Sequence, residues 1–145
     1  MADCLVCREH RLDVPLPGDH LVSTDEVVAF HVPPWPPSAE DVFLGYLMVT
    51  PRRHVADFAG LTSDEAAGVG QGIGRLSAAL KNLGAERVYV LVIGHDVDHL
   101  HVHLVPRWPG TPEEVSWLHV DDWPGARRGD FAQATALVEQ LRNAL

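Results

Sequence analysis

Cysteine is scarce in this sequence, and its two copies stand close together as Cys4 and Cys7. Two cysteines cannot supply a disulfide framework, and a chain of 145 residues can bury an adequate core without one. No apolar run approaches the roughly 20 residues needed to span a bilayer, so no membrane association is expected. The N-terminus lacks the basic start and apolar stretch of a secretory signal. These absences predict a cytoplasmic protein.

Basic residues are also few, since 11 lysines and arginines stand against 20 aspartates and glutamates and leave a formal net charge of −9. Binding to the phosphate backbone of a nucleic acid requires clustered positive charge. Polymeric nucleic acid is therefore not an expected partner. A small nucleotide is compatible with this charge, because a few local hydrogen-bond donors are enough to bind one.

Strand and helix patterns follow one another along the whole chain. β-branched and aromatic residues predict strands over 27–32, 43–49, 86–94 and 100–106, with 86–94 buried. A capping-box pattern, apolar three–four spacing and a closing glycine predict a helix over 62–83, and a last helix is expected from Asp130. The sequence predicts one α+β domain over residues 1–145, with a mainly antiparallel sheet of about five strands, a central helix and a C-terminal helix.

The central predicted helix contains four glycines at alternate positions, Gly68, Gly70, Gly72 and Gly74. Each glycine costs a helix about 1 kcal/mol relative to alanine. One interpretation is simple tolerance by the fold. The other, which we favour, is a face that a second backbone approaches closely, as it would across a dimer.

Three of the nine histidines alternate in the segment His99-Leu-His101-Val-His103. Residues two apart in a strand project to the same face, so the imidazoles form a row with steps of about 7 Å. Imidazole is a good nucleophile and proton carrier near neutral pH. The alternatives are a solvent-facing strand that happens to use histidine and a histidine metal centre. The second is weakened because His95-Asp-Val-Asp-His99 differs from the H-x-H-x-D-H order of metal hydrolases.

The two cysteines are separated by two residues, which indicates a thiolate metal site or a redox dithiol. Nothing around them follows the strand-then-helix pattern of a thioredoxin-like motif. Two unremarkable buried thiols are the third interpretation. As a metal site the pair supplies half of a tetrahedral ligand set, so two more ligands would be required.

The histidine segment, followed by Leu-Val-Pro106-Arg107, resembles the signature of the histidine triad (HIT) superfamily. Phe30-His31, the stretch from Gly45 to His54 and the helix follow the family's order, so that the similarity covers about residues 4–108 and residues 109–145 diverge. The resemblance implies a HIT-like fold, a homodimer and a small nucleotide-type phosphate substrate. It implies a nucleotidyl hydrolase or transferase that acts on nucleoside phosphoramidates or phosphoanhydrides. A dinucleoside polyphosphate phosphorylase and a zinc-stabilised nucleotide-binding module with little turnover are the alternatives.

The resemblance also implies roles for individual residues. His101 would attack phosphorus and form a covalent nucleotidyl-histidine, His103 would donate a hydrogen bond to the phosphate, and the backbone carbonyl of His99 would hold the other nitrogen of His101. Structural zinc, as in the bacterial branch of the family, would be bound by Cys4, Cys7, His54 and His99. The residues expected to bind substrate are His31, His95, Asp96 and Arg107.

Three features depart from the family pattern. One is the proline-rich loop from Pro33 to Pro37, which lengthens the loop that borders the family's nucleoside pocket. Val32 stands where many nucleotide-binding members have an aspartate that grips the ribose hydroxyls. Gly94-His95-Asp96 stands where Gly-Gln-Ser/Thr is usual, which would place a negative charge near an anionic substrate. Asp96 would have to point away, pair with Arg107 or meet a cationic leaving group. The resemblance therefore implies no preference for adenosine.

Overall fold

The computed structural model describes residues 4–145 of the chain. In chain order the elements are α1 (Leu5–His10), β1 (His20–Ser23), β2 (Val27–His31), β3 (Val42–Phe43), β4 (Leu47–Pro51), α2 (Ser63–Asn82), β5 (Arg87–Leu91), β6 (Val102–Arg107), β7 (Arg128–Gly129) and α3 (Phe131–Asn143). Five strands form one antiparallel sheet in the order β1-β2-β4-β6-β5, and β3 pairs with β7 in a separate two-stranded ladder. The predicted α+β class with a mainly antiparallel sheet is confirmed.

The central helix α2 begins where its capping box predicts. The Thr62 side chain accepts from the Glu65 N–H, and the Glu65 carboxylate accepts from the Thr62 N–H. This reciprocal arrangement satisfies two backbone donors that an open helix end would leave unpaired. The apolar face of α2 packs against the sheet, where Val69, Leu76 and Leu80 are at most 1% exposed. The helix therefore covers one face of the sheet and leaves the other face free for the site.

The glycines of α2 divide into two pairs with different surroundings. A Cβ on Gly68 would lie 2.9 Å from Val27, and one on Gly72 would lie 3.2 Å from Val49. Gly70 and Gly74 have open space around the same position. A close approach therefore occurs at two of the four glycines, but it is made by side chains and not by the second backbone that was expected. The residues that approach belong to strands of the same chain, so the glycines give no support to a dimer.

The register of the sheet decides which side chains share a face. Met48 lies opposite His103, and Leu47 lies opposite both Leu104 and His31. Residues directly opposite one another in a ladder project to the same face, and neighbours in one strand project to opposite faces. His103 and Met48 therefore occupy the face away from α2, whereas His31 points to the other side.

The predicted strand over 43–49 is interrupted at Gly45. Its φ of +90° is unfavourable for residues with a side chain, and a Cβ there would lie 2.8 Å from the Trp108 ring. The chain consequently leaves β3, turns, and enters the main sheet only at Leu47. This turn brings Tyr46 to the start of β4, beside the histidine segment.

The prediction that residues 86–94 form a buried strand is wrong. Strand β5 lies at the edge of the sheet and pairs with β6 alone among the described strands. Val90 is 48% exposed and Ile93, beyond the end of the strand, is 71% exposed. The predicted strand has apolar residues on both of its faces, a pattern typical of a central strand. In this structure, however, other residues of the chain bury only part of that apolar surface.

The C-terminal segment returns to the sheet and closes the core. The Trp108 indole N–H donates to the Leu44 carbonyl at 2.8 Å, and α3 begins after Asp130, which caps it through the Gln133 N–H. Helix α3 buries Ala134, Leu137, Val138 and Leu141. In the part of the chain that the structure describes, no helix has both the length and the apolar character needed to cross a membrane.

Candidate functional site

Four potential metal ligands meet between α1, the end of β4 and the start of the histidine segment. Cys4, Cys7, His54 and His99 each offer one ligand atom, and these atoms all lie within 4.8 Å of one another. The Sγ to Nδ1 distances are 3.6 Å from Cys4 to His99, 3.5 Å from Cys7 to His99 and 3.4 Å from Cys7 to His54. Zn–S bonds of about 2.3 Å and Zn–N bonds of about 2.0 Å at a tetrahedral angle separate sulfur from nitrogen by about 3.5 Å. The cluster has the dimensions and the donor types of a zinc site.

The His99 ring of this cluster is held in ligating orientation by a backbone carbonyl. His99 is fully buried, and its Nε2 lies 2.9 Å from the Pro51 carbonyl. A carbonyl only accepts, so Nε2 carries the proton and Nδ1 presents its lone pair to the two sulfurs. The adjacent Leu100 N–H donates to the Val55 carbonyl at 2.6 Å and ties the two histidine-bearing segments together.

His54 follows a segment that is anchored to α2. The Arg53 guanidinium donates to both carboxylate oxygens of Glu65 at 2.8 and 2.7 Å, and these hydrogen bonds lower the pKa of Glu65 to about 2. Charge-assisted bidentate pairs fix geometry as well as adding energy. Glu65, which belongs to the capping box of α2, therefore fixes Arg53 and with it the position of the next residue, His54.

His101 is half-buried and precedes the first residue of β6. Its Nδ1 lies 2.6 Å from the His99 carbonyl, which is the contact implied by the resemblance. Because the carbonyl accepts, Nδ1 carries a proton, and the neutral form of the ring in this tautomer has its lone pair on Nε2. The backbone therefore sets both the orientation of the His101 ring and the nitrogen that donates.

His103 stands beside His101, with ring centroids 4.9 Å apart and an interplanar angle of 75°. Its Nδ1 lies 2.9 Å from the Tyr46 hydroxyl, and its Nε2 is buried with no hydrogen-bond partner among residues 4–145. Burial, followed by the neighbouring His101, lowers the pKa of His103 to about 4, and burial raises the pKa of Tyr46 to about 12. Both groups are uncharged at neutral pH, and one buried nitrogen of His103 is free for a ligand.

A cavity of about 340 Å³ opens next to Tyr46 on this face of the sheet. Its walls come from α1, the loop after β2, strands β3 and β4, and the C-terminal segment. Val32 and Trp35 line it, so the departure at Val32 and the proline-rich loop both lie at its wall. The volume is within the range of small-molecule pockets.

His31, expected at the substrate, lies instead within the core. It is fully buried, its Nδ1 lies 2.7 Å from the Val32 carbonyl, and its Nε2 accepts from the Gly45 N–H at 2.9 Å. Burial lowers its pKa to about 4, which agrees with a neutral ring that donates at Nδ1 and accepts at Nε2. Both nitrogens are used, and the ring occupies the opposite face from His103. In this structure His31 holds the Gly45 turn and has no surface for a substrate contact.

Arg107 is also distant from the histidines. It follows His103 by four strand positions, a separation of roughly 13 Å along an extended chain. Its guanidinium donates to the backbone carbonyls of Val115, Pro112 and Thr111. The residue therefore anchors the segment after β6 and is not brought together with His101.

His95 and Asp96 lie on the exposed segment that leads from β5 to His99. Neither side chain forms a hydrogen bond or an ion pair with another residue in the 4–145 range, and Asp96 does not pair with Arg107. The structure leaves both side chains in solvent. Their expected role at the phosphate stays a prediction.

Tyr46 is the site residue that had no role in the sequence-based prediction. The signal that identifies it is the alternation of Tyr46, Met48 and Thr50 combined with the pairing of Met48 with His103. A search for chemically reactive residues misses Tyr46, because a tyrosine ahead of a strand is usually a packing residue.

Comparison with known proteins places these features in a family. The HIT domain model matches residues 17–110. An uncharacterised HIT-like protein from Methanocaldococcus jannaschii is 30% identical over 81 residues, which cover 52% of this chain and 63% of that protein, so the chain spans less than two thirds of that relative's length. The fold is similar to that of a Zn-bound histidine triad family protein from Mycobacterium smegmatis (TM-score 0.69, 19% identity, 99% of this chain and 93% of the other). It is also similar to a hypothetical histidine triad nucleotide-binding protein from Sulfolobus tokodaii (TM-score 0.70, 20% identity, 97% and 91%).

Proposed function

Because this chain belongs to the HIT domain family, we propose that it is a nucleotidyl hydrolase or transferase that acts through a covalent intermediate on His101. Family membership supports nucleotide binding, hydrolysis or transfer in general. The observation that carries the specific proposal is the 2.6 Å contact from His101 Nδ1 to the His99 carbonyl. In this tautomer the neutral ring has its lone pair on Nε2, which attacks without first losing a proton.

The proposed reaction has two steps: a bond between His101 Nε2 and phosphorus forms in the first and breaks in the second. His101 Nε2 attacks the α-phosphorus of a nucleoside phosphoramidate or phosphoanhydride, and the leaving group departs with the bonding electron pair. Water or phosphate then attacks the same phosphorus and releases His101. His103 contributes a hydrogen bond from Nε2 to the phosphate oxygens, provided that Tyr46 donates to Nδ1. Positioning supplies much of the acceleration, since both rings are already oriented.

Zinc in the Cys4, Cys7, His54 and His99 cluster would act on the structure and not on the substrate. Four protein ligands complete a tetrahedron and leave no open position for water or substrate. His99 would connect the two sites, because its Nδ1 faces the cluster while its carbonyl orients His101. A cytoplasmic location is part of the proposal, because a reducing compartment keeps the two thiolates available.

A homodimer is proposed from the edge strand β5. Val90, Val92 and Ile93 are 44–71% exposed, which is unusual for three apolar residues so close in sequence. The unpaired edge of β5 can accept another strand. Sedimentation of the native chain should give twice the mass of a Val90→Lys variant. Monomeric native protein at micromolar concentration would contradict the dimer.

The general activity is tested by incubating zinc-loaded protein with adenosine and guanosine 5′-phosphoramidates and with a dinucleoside polyphosphate. We expect nucleoside monophosphate to accumulate over many turnovers in water. If added phosphate becomes incorporated and nucleoside diphosphate forms instead, the protein is a phosphorylase. Binding without turnover of any substrate would contradict the enzyme and favour a zinc-stabilised binding module.

A further inference from the structure

Part of the wall of the cavity beside Tyr46 comes from outside the region that the family model matches. Asp121 and Arg128 line the cavity, and both lie beyond residue 110, where the match to the HIT domain ends. Val120 is only 1% exposed, so it anchors the backbone next to Asp121 in the core. The C-terminal segment therefore holds an acidic side chain at the cavity.

The Arg128 guanidinium distinguishes the two aspartates of this cavity. It donates to the Asp41 carboxylate at 3.0 Å from Nε and 2.9 Å from Nη2, and to the backbone carbonyl of Asp121 at 3.0 Å from Nη1. The Asp121 carboxylate forms no hydrogen bond or ion pair with another residue in the range 4–145, and Asp121 is only partly buried. Asp41 is thus already paired, whereas the carboxylate oxygens of Asp121 are open to a ligand that enters the cavity.

Asp121 lies near Tyr46, which connects the cavity to the histidines. Burial and, after it, the charge of Asp121 raise the pKa of Tyr46, and no other acid in the described part of the chain contributes to this rise. Coulomb interactions weaken with distance, so the two side chains are close. The Tyr46 hydroxyl also lies 2.9 Å from Nδ1 of His103, whose Nε2 is buried without a partner among residues 4–145. Tyr46 therefore stands between the Asp121 carboxylate and the ring that is proposed to bind phosphate.

The order of groups in a nucleotide matches this order of side chains. With the phosphate at His103, the sugar comes next, because its 5′ carbon carries the phosphate ester, and it would lie beside Tyr46 and Asp121. Ribose has two adjacent hydroxyl groups, and a carboxylate has two acceptor oxygens that match two neighbouring donors. Val32 lines the same cavity, but its side chain has no group that could bind a hydroxyl.

Resting on the proposed function, we propose that Asp121 binds the 2′ and 3′ hydroxyls of the sugar and makes the site selective for ribonucleotides. The carboxylate accepts one hydrogen bond from each hydroxyl, and hydrogen bonds to a charged acceptor are stronger than those to a neutral one. A deoxynucleotide supplies one donor instead of two, so one carboxylate oxygen is left without its partner. Sugar selectivity is thus a property of the C-terminal segment.

The test is calorimetric binding of adenosine 5′-monophosphate and of its 2′-deoxy and 3′-deoxy forms to zinc-loaded native protein. The loss of a hydrogen bond to a charged group predicts dissociation constants at least about tenfold higher for each deoxy form. Asp121→Ala should weaken the ribonucleotide and bring the three dissociation constants within about threefold of one another. Guanosine 5′-monophosphate and its 2′-deoxy form provide the same comparison with a different base.

Asp122→Ala is the matched control, because it removes the same charge from the next residue, which is exposed and lies outside the cavity wall. It should keep the full preference for ribose. Asp121→Asn preserves the shape of the side chain and should lose part of the preference, so it decides if Asp121→Ala does not fold. Equal affinity of native protein for the ribo and deoxy forms would overturn the proposal. A preference that is undiminished in the Asp121 variants, or equally diminished in Asp122→Ala, would also overturn it.

The sugar preference and the proposed activity are measured separately, since binding does not require attack by His101. His101→Asn should keep the preference for ribose while turnover is lost. Turnover of ribonucleoside and 2′-deoxyribonucleoside phosphoramidates with equal affinities would uphold the enzyme and reject Asp121 as its specificity residue. A ribose preference without any turnover would uphold the role of Asp121 and reject the enzyme. Absence of binding by every nucleotide would reject Asp121, whatever the turnover of phosphoramidates.

Discussion

Replacing His101 by asparagine is expected to lower kcat/KM for a nucleoside 5′-phosphoramidate by about a thousandfold or more. Asparagine can still donate to the His99 carbonyl, but its amide nitrogen has no available lone pair with which to attack phosphorus. His103, the bound zinc and the cavity would remain. Residual activity would report the contribution of positioning without a nucleophile.

A histidine outside the site provides the control for this variant. His119 is exposed in a short helical turn of the C-terminal segment, so His119→Asn should keep native activity. Both variants should bind nucleoside monophosphate and keep their zinc. Undiminished turnover by His101→Asn would remove the basis of the proposed mechanism, because the mechanism depends on attack by His101 Nε2.

Removing zinc is expected to destabilise the protein by at least about 3 kcal/mol, because metal binding is coupled to folding of the segments that it joins. Helix α1 has six residues and is too short to persist without tertiary support. Without metal, Cys4 and Cys7 would no longer hold it to His54 and His99. For a chain of this size the loss corresponds to a fall of roughly 10 °C in Tm.

Thermal unfolding with and without a strong chelator measures this effect. Metal analysis of the native protein should give one zinc per chain, and Cys7→Ser should lower both zinc content and Tm. Chelator should then have little further effect on that variant. Because His99 also orients His101, zinc loss should reduce kcat at temperatures where the chain is still folded. A metal-free protein with native Tm and native activity would contradict a structural role for zinc.

Much of the fold follows from sequence pattern because the relevant signals are local. The Thr62–Glu65 capping box and the Asp130 cap begin their helices at the expected residues. The strand around Ala29 also lies where its β-branched residues predict. The continuous strand predicted over 43–49 does not form, because Gly45 breaks it for a tertiary reason, namely the contact with Trp108. Local propensity carries no information about that neighbour.

The alternating histidines are visible in the sequence itself, whereas the metal cluster is predictable only with the family resemblance, because the two cysteines alone indicate half of a tetrahedral ligand set and do not identify His54 and His99. The substrate roles expected of His31 and Arg107 rest on resemblance alone, and the sheet register places His31 on the opposite face. Sequence pattern does not identify Tyr46, because its contact with His103 depends on how the strands pair in the sheet. The exposure of β5 depends on whether another strand pairs with its edge. The apolar pattern of one strand does not specify its neighbours in the sheet.

The most direct test of the central claim is to detect the intermediate. Native protein mixed with a nucleoside 5′-phosphoramidate is quenched within milliseconds to seconds at alkaline pH, where a phosphorus–nitrogen bond to histidine survives, and is analysed by peptide mass spectrometry. We predict a nucleoside monophosphate adduct on the peptide that contains His99–His103, assigned by fragmentation to His101 and absent from His101→Asn. An adduct on another residue, or rapid turnover with no adduct at any quench time, would contradict nucleophilic catalysis by His101.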